Sequence, residues 1–415
     1  MFRKLLSLED AEKRIAESIS VKPLGVEEVS LQEALGRVLA ENIVSPIDVP
    51  PFNRSTVDGY AVKAEDTFGA EENRPVTLKL AGSVAVGKLP SLTVNKGVAL
   101  EIVTGAPFPR GADAVVMVEN TSEKQGRLTV HRAVVKGENV MERGSDVRIK
   151  EHVLEGGAVL SSKELGVLAA LGFTKVNVFR RPKVAIVSTG AEIVEPGKPL
   201  PPGKIYDINT HTLTAAATEC GCEPVGLGVV QDDDSTLLEK TLKKALKAAD
   251  VVVTSGGVSV GPKDVVPKIL SELGKPGVLV HGVAVKPGKP FAFAVVGGKP
   301  IFSLPGHPTS SLLMFQLLVR PTLLKMAGRE VTPPATVKAT NVHKLFSARG
   351  RRTFITVTLH RDKAGRWRAS QVSGGESGAI TTLAKADGYV ELKETQQFVE
   401  AGSEITVFLF KPLPS

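Results

Sequence analysis

The sequence predicts a multidomain α/β protein organised around a doubly wound, mainly parallel sheet. With 415 residues the chain exceeds one ordinary domain, so two to four domains are expected. From Lys183 onward, short apolar segments typical of strands alternate with helix-length amphipathic segments, which is the pattern of a parallel sheet. Residues 76–135, and those after Gly328, instead show short strand patterns with glycine turns. These predict two smaller β domains, the second a barrel or a sandwich.

Two capping-box patterns predict helix starts in the N-terminal part of the chain. Ser30 with Glu33 predicts a helix that reaches Leu39, and Ser161 with Glu164 predicts another. In each pair the serine hydroxyl and the glutamate carboxylate can satisfy backbone N–H groups that a helix start leaves unpaired.

A proline-rich polar segment follows the first of these patterns. Residues 45–62 contain three prolines, which exclude a helix, and Asp58 with Gly59 is a turn pair. The segment is either a hinge between domains or a rigid support that presents Asp58 to a ligand. Two further polar turns, at residues 104–107 and 142–146, are by themselves more typical of hairpin ends than of binding sites.

Residues 250–264 form the strongest candidate for a ligand site. Residues 251–254 are a β-branched run typical of a strand buried on both faces, and a loop with three glycines follows. Pro262 then starts a predicted helix. A glycine loop before a helix N-terminus is an anion site, because unpaired N–H groups point at the ligand. Asp264, in the first turn, either complements the helix dipole or holds Mg²⁺ beside a bound phosphate.

Polar loops also follow several other predicted strands. In a doubly wound sheet, ligands bind beyond the C-terminal strand ends, where the strand order switches. We therefore expect these loops to converge on one edge of the sheet. They comprise residues 188–192, 232–234, 286–289 and 304–307.

Composition and two imperfect motifs exclude several function classes. The formal charge of +8 comes without clustered basic residues and with only 5% aromatics, which argues against a nucleic-acid surface. No apolar run is long enough to cross a bilayer, and the N-terminus turns acidic too early for a secretion signal, so a cytoplasmic protein is expected. Residues 82–88 resemble a P-loop but lack its Ser/Thr. Gly226 and Gly228 lack the third glycine of a dinucleotide fingerprint.

The cysteines are too few for a disulfide framework or a structural zinc site. The two, Cys220 and Cys222, lie one residue apart, and we expect a buried thiol pair without chemistry.

Seven motifs, in order along the chain, resemble those of the molybdopterin molybdenumtransferases, the MoeA family that includes the gephyrin E domain. The resemblance runs through essentially the whole length. The motifs are NRSTVDGY at 53–60, TGAP at 104–107, RGSD at 143–146, STGAE at 188–192, SGGVSVG at 255–261 with Asp264, KPGKP at 286–290 and LPGHP at 304–308.

This resemblance implies an elongated homodimer of four-part subunits with the active site at the subunit interface. The parts would be an N-terminal linker domain (1–45 and 147–180), an inserted β domain (46–146), a Mog-like α/β domain (181–328) and a C-terminal β-barrel (329–415). It also implies a reaction in which adenylylated molybdopterin and molybdate give molybdenum cofactor and AMP, with Mg²⁺ helping to cleave the phosphoanhydride. Molybdopterin adenylyltransferase is a candidate partner, whereas neither nucleic acid nor membrane is.

The resemblance and the residue chemistry together give the candidate site. The glycine loop, with Ser255, Gly256, Gly257 and Ser259, would hold the pterin phosphate. Lys286 and Lys289 supply positive charge suited to a tetrahedral dianion. Asp264, with Asp232 as a weaker candidate, would ligate the metal. The remaining positions are assigned by similarity. Pro290, Arg351 and Ser377 would complete the oxyanion pocket, Pro305 and Gly306 would contact substrate, and Asp58, Thr104, Asp146 and Glu192 match functional positions of the family.

Three positions distinguish this chain from the common family pattern. His307 follows Leu-Pro-Gly where members often carry Asn, and Gly282 stands where many carry Lys or Arg. The arginine of the oxyanion pocket is matched to Arg351, with Arg349 or Arg352 as alternatives. Alternative functions are a molybdopterin adenylyltransferase, a tungstate-inserting paralogue and a non-catalytic gephyrin-like scaffold.

Overall fold

The computed structural model describes residues 5–231, 235–258, 265–372 and 379–411. The chain divides into two compact units. The first contains Met1–Val29, Gly36–Ala40 and Asn177–Ser415, and the second contains Ser30–Leu35 and Glu41–Val176. Among the described residues, no helix has both the length and the apolar character needed to span a bilayer.

The first unit contains the predicted doubly wound sheet. Its six strands, in spatial order, are Glu223–Val230, Lys183–Thr189, Val251–Ser255, Lys299–Leu304, Ala292–Val296 and Pro276–His281. The first four are mutually parallel, and the last two add antiparallel pairings. Val251 and Val253 pack into one apolar cluster, whereas Val252 packs into another on the opposite face. Because both faces are covered, the strand begins with three valines, and all five of its residues, including Thr254 and Ser255, are buried.

Helices cover the sheet on both faces. The helices Ser235–Ala248 and Val265–Leu273 pack into the apolar cluster that contains Val252. Other helices of this unit pack into the cluster on the opposite face, which contains Val251. The remaining helices of the first unit are Leu8–Ser18, Asn209–Glu219, Pro308–Met314, Arg320–Met326 and Ile380–Lys385, with a π-helical turn at Phe315–Val319.

A closed five-stranded barrel follows the sheet in the same unit, which confirms the predicted C-terminal barrel. Its strands, in spatial order, are Arg352–Arg361, Trp367–Gln371, Thr336–Asn341, Glu404–Leu409 and Gly388–Leu392, and the last pairs with the first. The strand Val285–Lys286 pairs in parallel with Arg352–Arg361. The first unit also has the short pairs Leu345–Phe346 with Phe398–Val399 and Ile193–Val194 with Ile205–Tyr206. The strand Val26–Ser30 pairs with Lys175–Phe179.

The second unit is built on the predicted inserted β sheet. Its strands, in spatial order, are Ala114–Met117, Gly59–Val62, Val98–Ile102, Val76–Val84, Arg127–Val130 and Thr121–Lys124. Arg54–Ser55 pairs with Val140–Met141, and Ile43–Val44 pairs with His152–Leu154. This unit also contains the helix Ser162–Ala170 and short 3₁₀ turns at Ala64–Thr67 and Val118–Asn120. The four domain boundaries expected from the sequence stay a prediction.

The two capping-box predictions have opposite outcomes. Ser161 and Glu164 form the complete box and start the helix Ser162–Ala170, as predicted. Ser30 and Glu33 make the same kind of contact, with the Ser30 hydroxyl 2.7 Å from a Glu33 carboxylate oxygen, but residues 31–39 contain no helix. That prediction is wrong. Gly36 has φ +73°, and this left-handed conformation ends the turn before a helix can propagate.

Candidate functional site

One cavity of about 930 Å³ in the first unit collects most of the predicted ligand-binding residues. Loops from the C-terminal strand ends of the sheet form one wall, and the first strand of the barrel with its preceding loop forms another. Nine residues predicted from the sequence lie on these walls: Glu192, Gly256, Gly257, Lys286, Lys289, Pro290, Pro305, Gly306 and Arg351. The expected convergence is therefore found for the loops at residues 188–192, 286–289 and 304–307, together with the glycine loop, whereas residues 232–234 lie outside the described part of the chain.

The glycine loop packs closely against a neighbouring strand end. Gly256 has φ +94°, and a Cβ there would lie 2.1 Å from the carbonyl oxygen of Thr189. Gly257 has φ +65° and equally little space, with Val266 Cγ2 at 2.7 Å from a built Cβ. The Gly256 N–H donates to the carbonyl oxygen of Leu304 at 3.1 Å. Only glycine allows this approach, which brings the loop's backbone to the cavity wall.

Ser255 supports the loop and is not among the residues that line the cavity. Its side chain is 1% exposed, and its hydroxyl donates to the carbonyl oxygen of Pro305 at 3.1 Å. Its predicted contact with substrate stays a prediction. In the structure, the Ser255 hydroxyl links the glycine loop to the Leu-Pro-Gly loop.

Asn209 joins the same two loops and was missed by the sequence analysis. Its side-chain Nδ2 donates to the Ser255 hydroxyl at 2.8 Å and to the carbonyl oxygen of Gly306 at 2.7 Å. It lies at the first turn of the helix Asn209–Glu219 and is 5% exposed. A buried amide with this pair of acceptors fixes the spacing of two cavity loops. The sequence offered one signal for Asn209, namely that it is a polar residue at the start of a helix in the α/β domain.

A second buried polar group holds the start of this helix. The Asp207 carboxylate accepts from the Ser188 hydroxyl at 3.0 Å and from the Thr210 backbone N–H at 3.1 Å. Thr210 in turn donates from its hydroxyl to Ser188 at 2.9 Å. The STGAE loop and the helix start are therefore tied together beneath the cavity, and Glu192 lies exposed on the cavity wall.

The structure separates the three candidate arginines by their surroundings. The Arg352 guanidinium lies 2.5 Å from Glu9, 3.1 Å from Glu394 and 3.3 Å from Glu391, and its side chain is 15% exposed. Arg351 lines the cavity instead, while Arg349 is exposed and is not on the cavity wall. The geometry thus favours Arg351 as the arginine available to a cavity ligand.

The cavity wall carries more cationic than anionic side chains. Lys286, Lys289 and Arg351 are cations, and Glu192 is the one carboxylate among the described residues that line it. His307 also lines the cavity. This balance suits an anion with several oxygen acceptors.

The second unit holds another polar constellation. One carboxylate oxygen of Asp58 accepts from the backbone N–H of Thr104 at 2.7 Å and from its hydroxyl at 2.8 Å. These two hydrogen bonds lower the pKa of Asp58 below its usual range, the backbone bond most. Both side chains are exposed. The structure therefore brings together two residues predicted from separate motifs.

Asp146 lies in a different turn of this unit. Its backbone N–H donates to the carbonyl oxygen of Val49 at 3.0 Å, and its side chain is exposed. Close by in sequence, Arg143 donates to Asp48 at 2.6 Å. The Ile149 backbone N–H and then Arg143 lower the pKa of Asp48. The turn that carries Asp146 is therefore held by backbone and side-chain hydrogen bonds.

Four predicted site residues lie outside the described residues: Asp232, Ser259, Asp264 and Ser377. Within the described ranges, no group of three or more His, Cys, Asp or Glu side chains is arranged to hold a metal ion. The predicted metal ligands are thus untested by the geometry.

The two cysteines are buried and free, as expected. Burial raises the pKa of Cys220 to about 11 and that of Cys222 to about 12. Both thiols are protonated near neutral pH and are poor nucleophiles there.

Comparison with known proteins accounts for nearly the whole chain. The family model described as the MoeA N-terminal region (domain I and II) matches residues 6–172, that of a probable molybdopterin binding domain matches 185–325, and that of the MoeA C-terminal region (domain IV) matches 338–410. A relative from Haemophilus influenzae named molybdopterin molybdenumtransferase is 35% identical over 411 residues, covering 99% of this chain and 100% of the relative. One of the same name from Staphylococcus epidermidis is 34% identical over 410 residues, covering 98% and 96%.

A solved structure agrees with these sequence relatives. The molybdopterin biosynthesis MoeA protein from Pyrococcus horikoshii superposes with a TM-score of 0.85 at 44% identity, covering 99% of this chain and 100% of that one. A second structure of that name and organism has a TM-score of 0.80 at 34% identity, covering 98% and 100%.

Proposed function

The chain belongs to the MoeA family, transferases of molybdenum cofactor biosynthesis, and we propose that it inserts molybdate into adenylylated molybdopterin with release of AMP. The observation that carries the proposal is the cavity of about 930 Å³ in which a glycine loop, two lysines and Arg351 meet. A pocket of this size suits a ligand with two ring systems joined by phosphates.

The cavity residues divide into two groups by their chemistry. The glycine loop at Gly256 and Gly257 lets backbone approach a phosphate where a side chain would collide. Lys286, Lys289 and Arg351 supply cations for the tetrahedral oxyanion, and the arginine can donate two hydrogen bonds to it at once. Pro290 and Pro305 also lie on the cavity wall. Binding both substrates in one cavity orients them for transfer.

Mg²⁺ is part of the proposal, with Asp264 as its main ligand and Asp232 as a weaker one. Among the described residues that line the cavity, Glu192 is the one carboxylate that could add an oxygen ligand to these two. When bound, Mg²⁺ would polarise the phosphoanhydride that joins AMP to the pterin phosphate. Ser259 and Ser377 would add hydroxyl contacts to the phosphate and to the oxyanion, respectively.

We further propose a cytoplasmic homodimer whose active site is shared between subunits. The cavity belongs to the first unit, whereas Asp58, Thr104 and Asp146 belong to the second. In a shared site, these residues of one subunit would act at the cavity of the other. The two hydrogen bonds from Thr104 hold the Asp58 carboxylate in a fixed orientation, which suits a residue that presents its charge to a ligand. Molybdopterin adenylyltransferase, which would supply the adenylylated substrate, is the proposed partner.

The deciding experiment is AMP release from adenylylated molybdopterin in the presence of Mg²⁺ and each oxyanion. Release that needs molybdate, and is weaker with tungstate, would support the proposal. Equal or faster release with tungstate would identify the tungstate-inserting alternative. Adenylylated molybdopterin accumulating from ATP would instead identify an adenylyltransferase. An inactive protein that still binds a protein partner would indicate a scaffold.

A further inference from the structure

Phe346 is an exposed aromatic residue on the wall of the cavity. Its side chain is 66% exposed, and aromatic residues make up only 5% of the chain. Ile205, also on the wall, is 56% exposed. Other lining residues such as Lys286 and Arg351 are charged. The cavity wall therefore carries exposed apolar side chains as well as cations, which is typical of sites for ligands with both a ring and an anionic group.

The Phe346 ring is held by backbone pairing, although little of it is buried. The strand Leu345–Phe346 pairs antiparallel with Phe398–Val399, and Phe346 stands opposite Phe398. Leu345 is fully buried and anchors the strand in the barrel core. The next residue continues the pairing, since the Ser347 N–H donates to the Gln397 carbonyl oxygen at 2.9 Å. The backbone that carries the Phe346 ring is thus ordered before any ligand binds.

Lys344 engages both aromatic rings of this pair. Its ammonium nitrogen lies 3.8 Å from the Phe398 ring centroid and 5.7 Å from that of Phe346. The same nitrogen is 2.6 Å from a Glu400 carboxylate oxygen. Lys344, paired with Glu400, thus makes cation–π contacts with both phenylalanine rings. Phe398 does not line the cavity, so the two rings have similar surroundings but different access to a cavity ligand.

We infer that Phe346 stacks against a planar heteroaromatic ring of the substrate while the cationic residues bind its anionic end. The inference rests on the proposed function, in which the substrate carries two such rings, the pterin and the adenine. Stacking on an exposed, preorganised ring requires little reordering of the protein on binding. Phe346 would then be a substrate-binding residue that selects for an aromatic ring, with no part in the oxyanion contact.

The test compares Phe346→Ala with Phe346→Tyr and the matched control Phe398→Ala. We expect Phe346→Ala to raise the KM for adenylylated molybdopterin about tenfold, as loss of one stacking contact does. The molybdate requirement should not change, because the cationic residues are intact. Phe346→Tyr and Phe398→Ala should stay within about twofold of wild type, since the first keeps an aromatic ring and the second leaves the cavity wall unaltered.

Separate binding measurements by calorimetry identify the ring and do not depend on turnover. Weaker binding of AMP alone by Phe346→Ala assigns the adenine, and weaker binding of molybdopterin alone assigns the pterin. Unchanged affinity for both, or an equal loss in Phe398→Ala, overturns the inference. So does a change of oligomeric state in Phe346→Ala with unchanged affinity, which would make the ring a subunit contact. A wild-type protein that binds these ligands but releases no AMP would contradict the proposed function alone. One that binds neither ligand overturns both.

Discussion

Thr104 donates two hydrogen bonds to a single carboxylate oxygen of Asp58, from its backbone nitrogen at 2.7 Å and from its hydroxyl at 2.8 Å. The two residues are 46 positions apart in the sequence. Both hydrogen bonds favour the charged carboxylate, so together they keep Asp58 ionised at a lower pH than an ordinary aspartate.

Replacing the Thr104 hydroxyl should therefore move the pKa of Asp58 upward. Thr104→Val removes one donor and keeps the shape, whereas Thr104→Ser keeps the donor. If ionised Asp58 is needed, the acid limb of the pH profile of AMP release shifts to higher pH in the valine variant only. Carbon-13 NMR titration of the aspartate side chains, assigned with Asp58→Asn, measures the pKa directly. An equal Asp58 pKa in wild type and Thr104→Val would contradict the prediction.

Removing a cavity lysine should weaken oxyanion binding. A charge-assisted hydrogen bond contributes about 1.5–3 kcal/mol. Lys286→Ala and Lys289→Ala should each raise the molybdate concentration for half-maximal AMP release about 10- to 100-fold. Lys240→Ala is the control, because Lys240 is an exposed residue of the helix Ser235–Ala248 and does not line the cavity. If both variants saturate at the wild-type molybdate concentration, the oxyanion binds at a site that does not include these two lysines.

Arg351 and Arg352 should give different phenotypes despite being neighbours. Arg351→Ala should raise the molybdate requirement and leave thermal stability nearly unchanged. Arg352→Met should destabilise the first unit by roughly 1–3 kcal/mol, because it leaves three carboxylates without their shared cation. Differential scanning calorimetry, reporting each transition separately, measures the effect. Equal loss of stability in both variants would mean that Arg351 is also structural.

The Arg352 effect should grow as pH rises. Burial first, and then Glu9, raise the pKa of Glu12, while Arg352 opposes this shift. Without Arg352 the pKa of Glu12 rises further. A carboxyl with a raised folded-state pKa stabilises the fold below its unfolded pKa, and that contribution is lost as pH rises through the folded pKa. The stability difference between wild type and Arg352→Met should thus be larger at pH 7.5 than at pH 4.5. A pH-independent difference would contradict this account.

Adding one methyl group at Gly256 should disable the cavity loop. Gly256→Ala would bring Cβ to within 2.1 Å of a backbone oxygen, in a left-handed conformation that alone costs about 1–2 kcal/mol. Gly297→Ala is the matched control, because Gly297 also has positive φ, at +57°, but nothing lies within 4 Å of its Cβ position. Only the first variant should lose most of its affinity for AMP, measured by calorimetry on folded protein. Similar losses in both would assign the effect to backbone conformation.

A mixed dimer tests whether Asp58 acts in the other subunit. Asp58→Asn and Asp264→Asn should each be nearly inactive as homodimers. In a shared-site dimer containing one subunit of each, one site receives both defects and the other neither. Co-expression with two affinity tags isolates this species, and about half of the wild-type activity per dimer is expected. Mixed dimers as inactive as their parents would show that both carboxylates act within one chain.

The periodic parts of the chain were determined by the sequence alone. The β-branched run at residues 251–254 predicted a strand buried on both faces, and every residue of the observed strand Val251–Ser255 is buried. The strand patterns after Gly328 similarly predicted a barrel or a sandwich, and they include the strand Arg352–Arg361 of the barrel. Such patterns are local, and burial enforces them residue by residue.

What only the tertiary structure decided involves residues far apart in the chain. Arg351 and Arg352 are equivalent by sequence, but only Arg352 meets the carboxylates of Glu9, Glu391 and Glu394. Asn209 carries no motif, and its function as a link follows from acceptors at Ser255 and Gly306. The contact of Ser30 with Glu33 forms without a helix, since a capping contact satisfies only the first turn and the following residues decide propagation. Local pattern fixes which groups need partners, whereas the packing of distant segments decides which partners they meet.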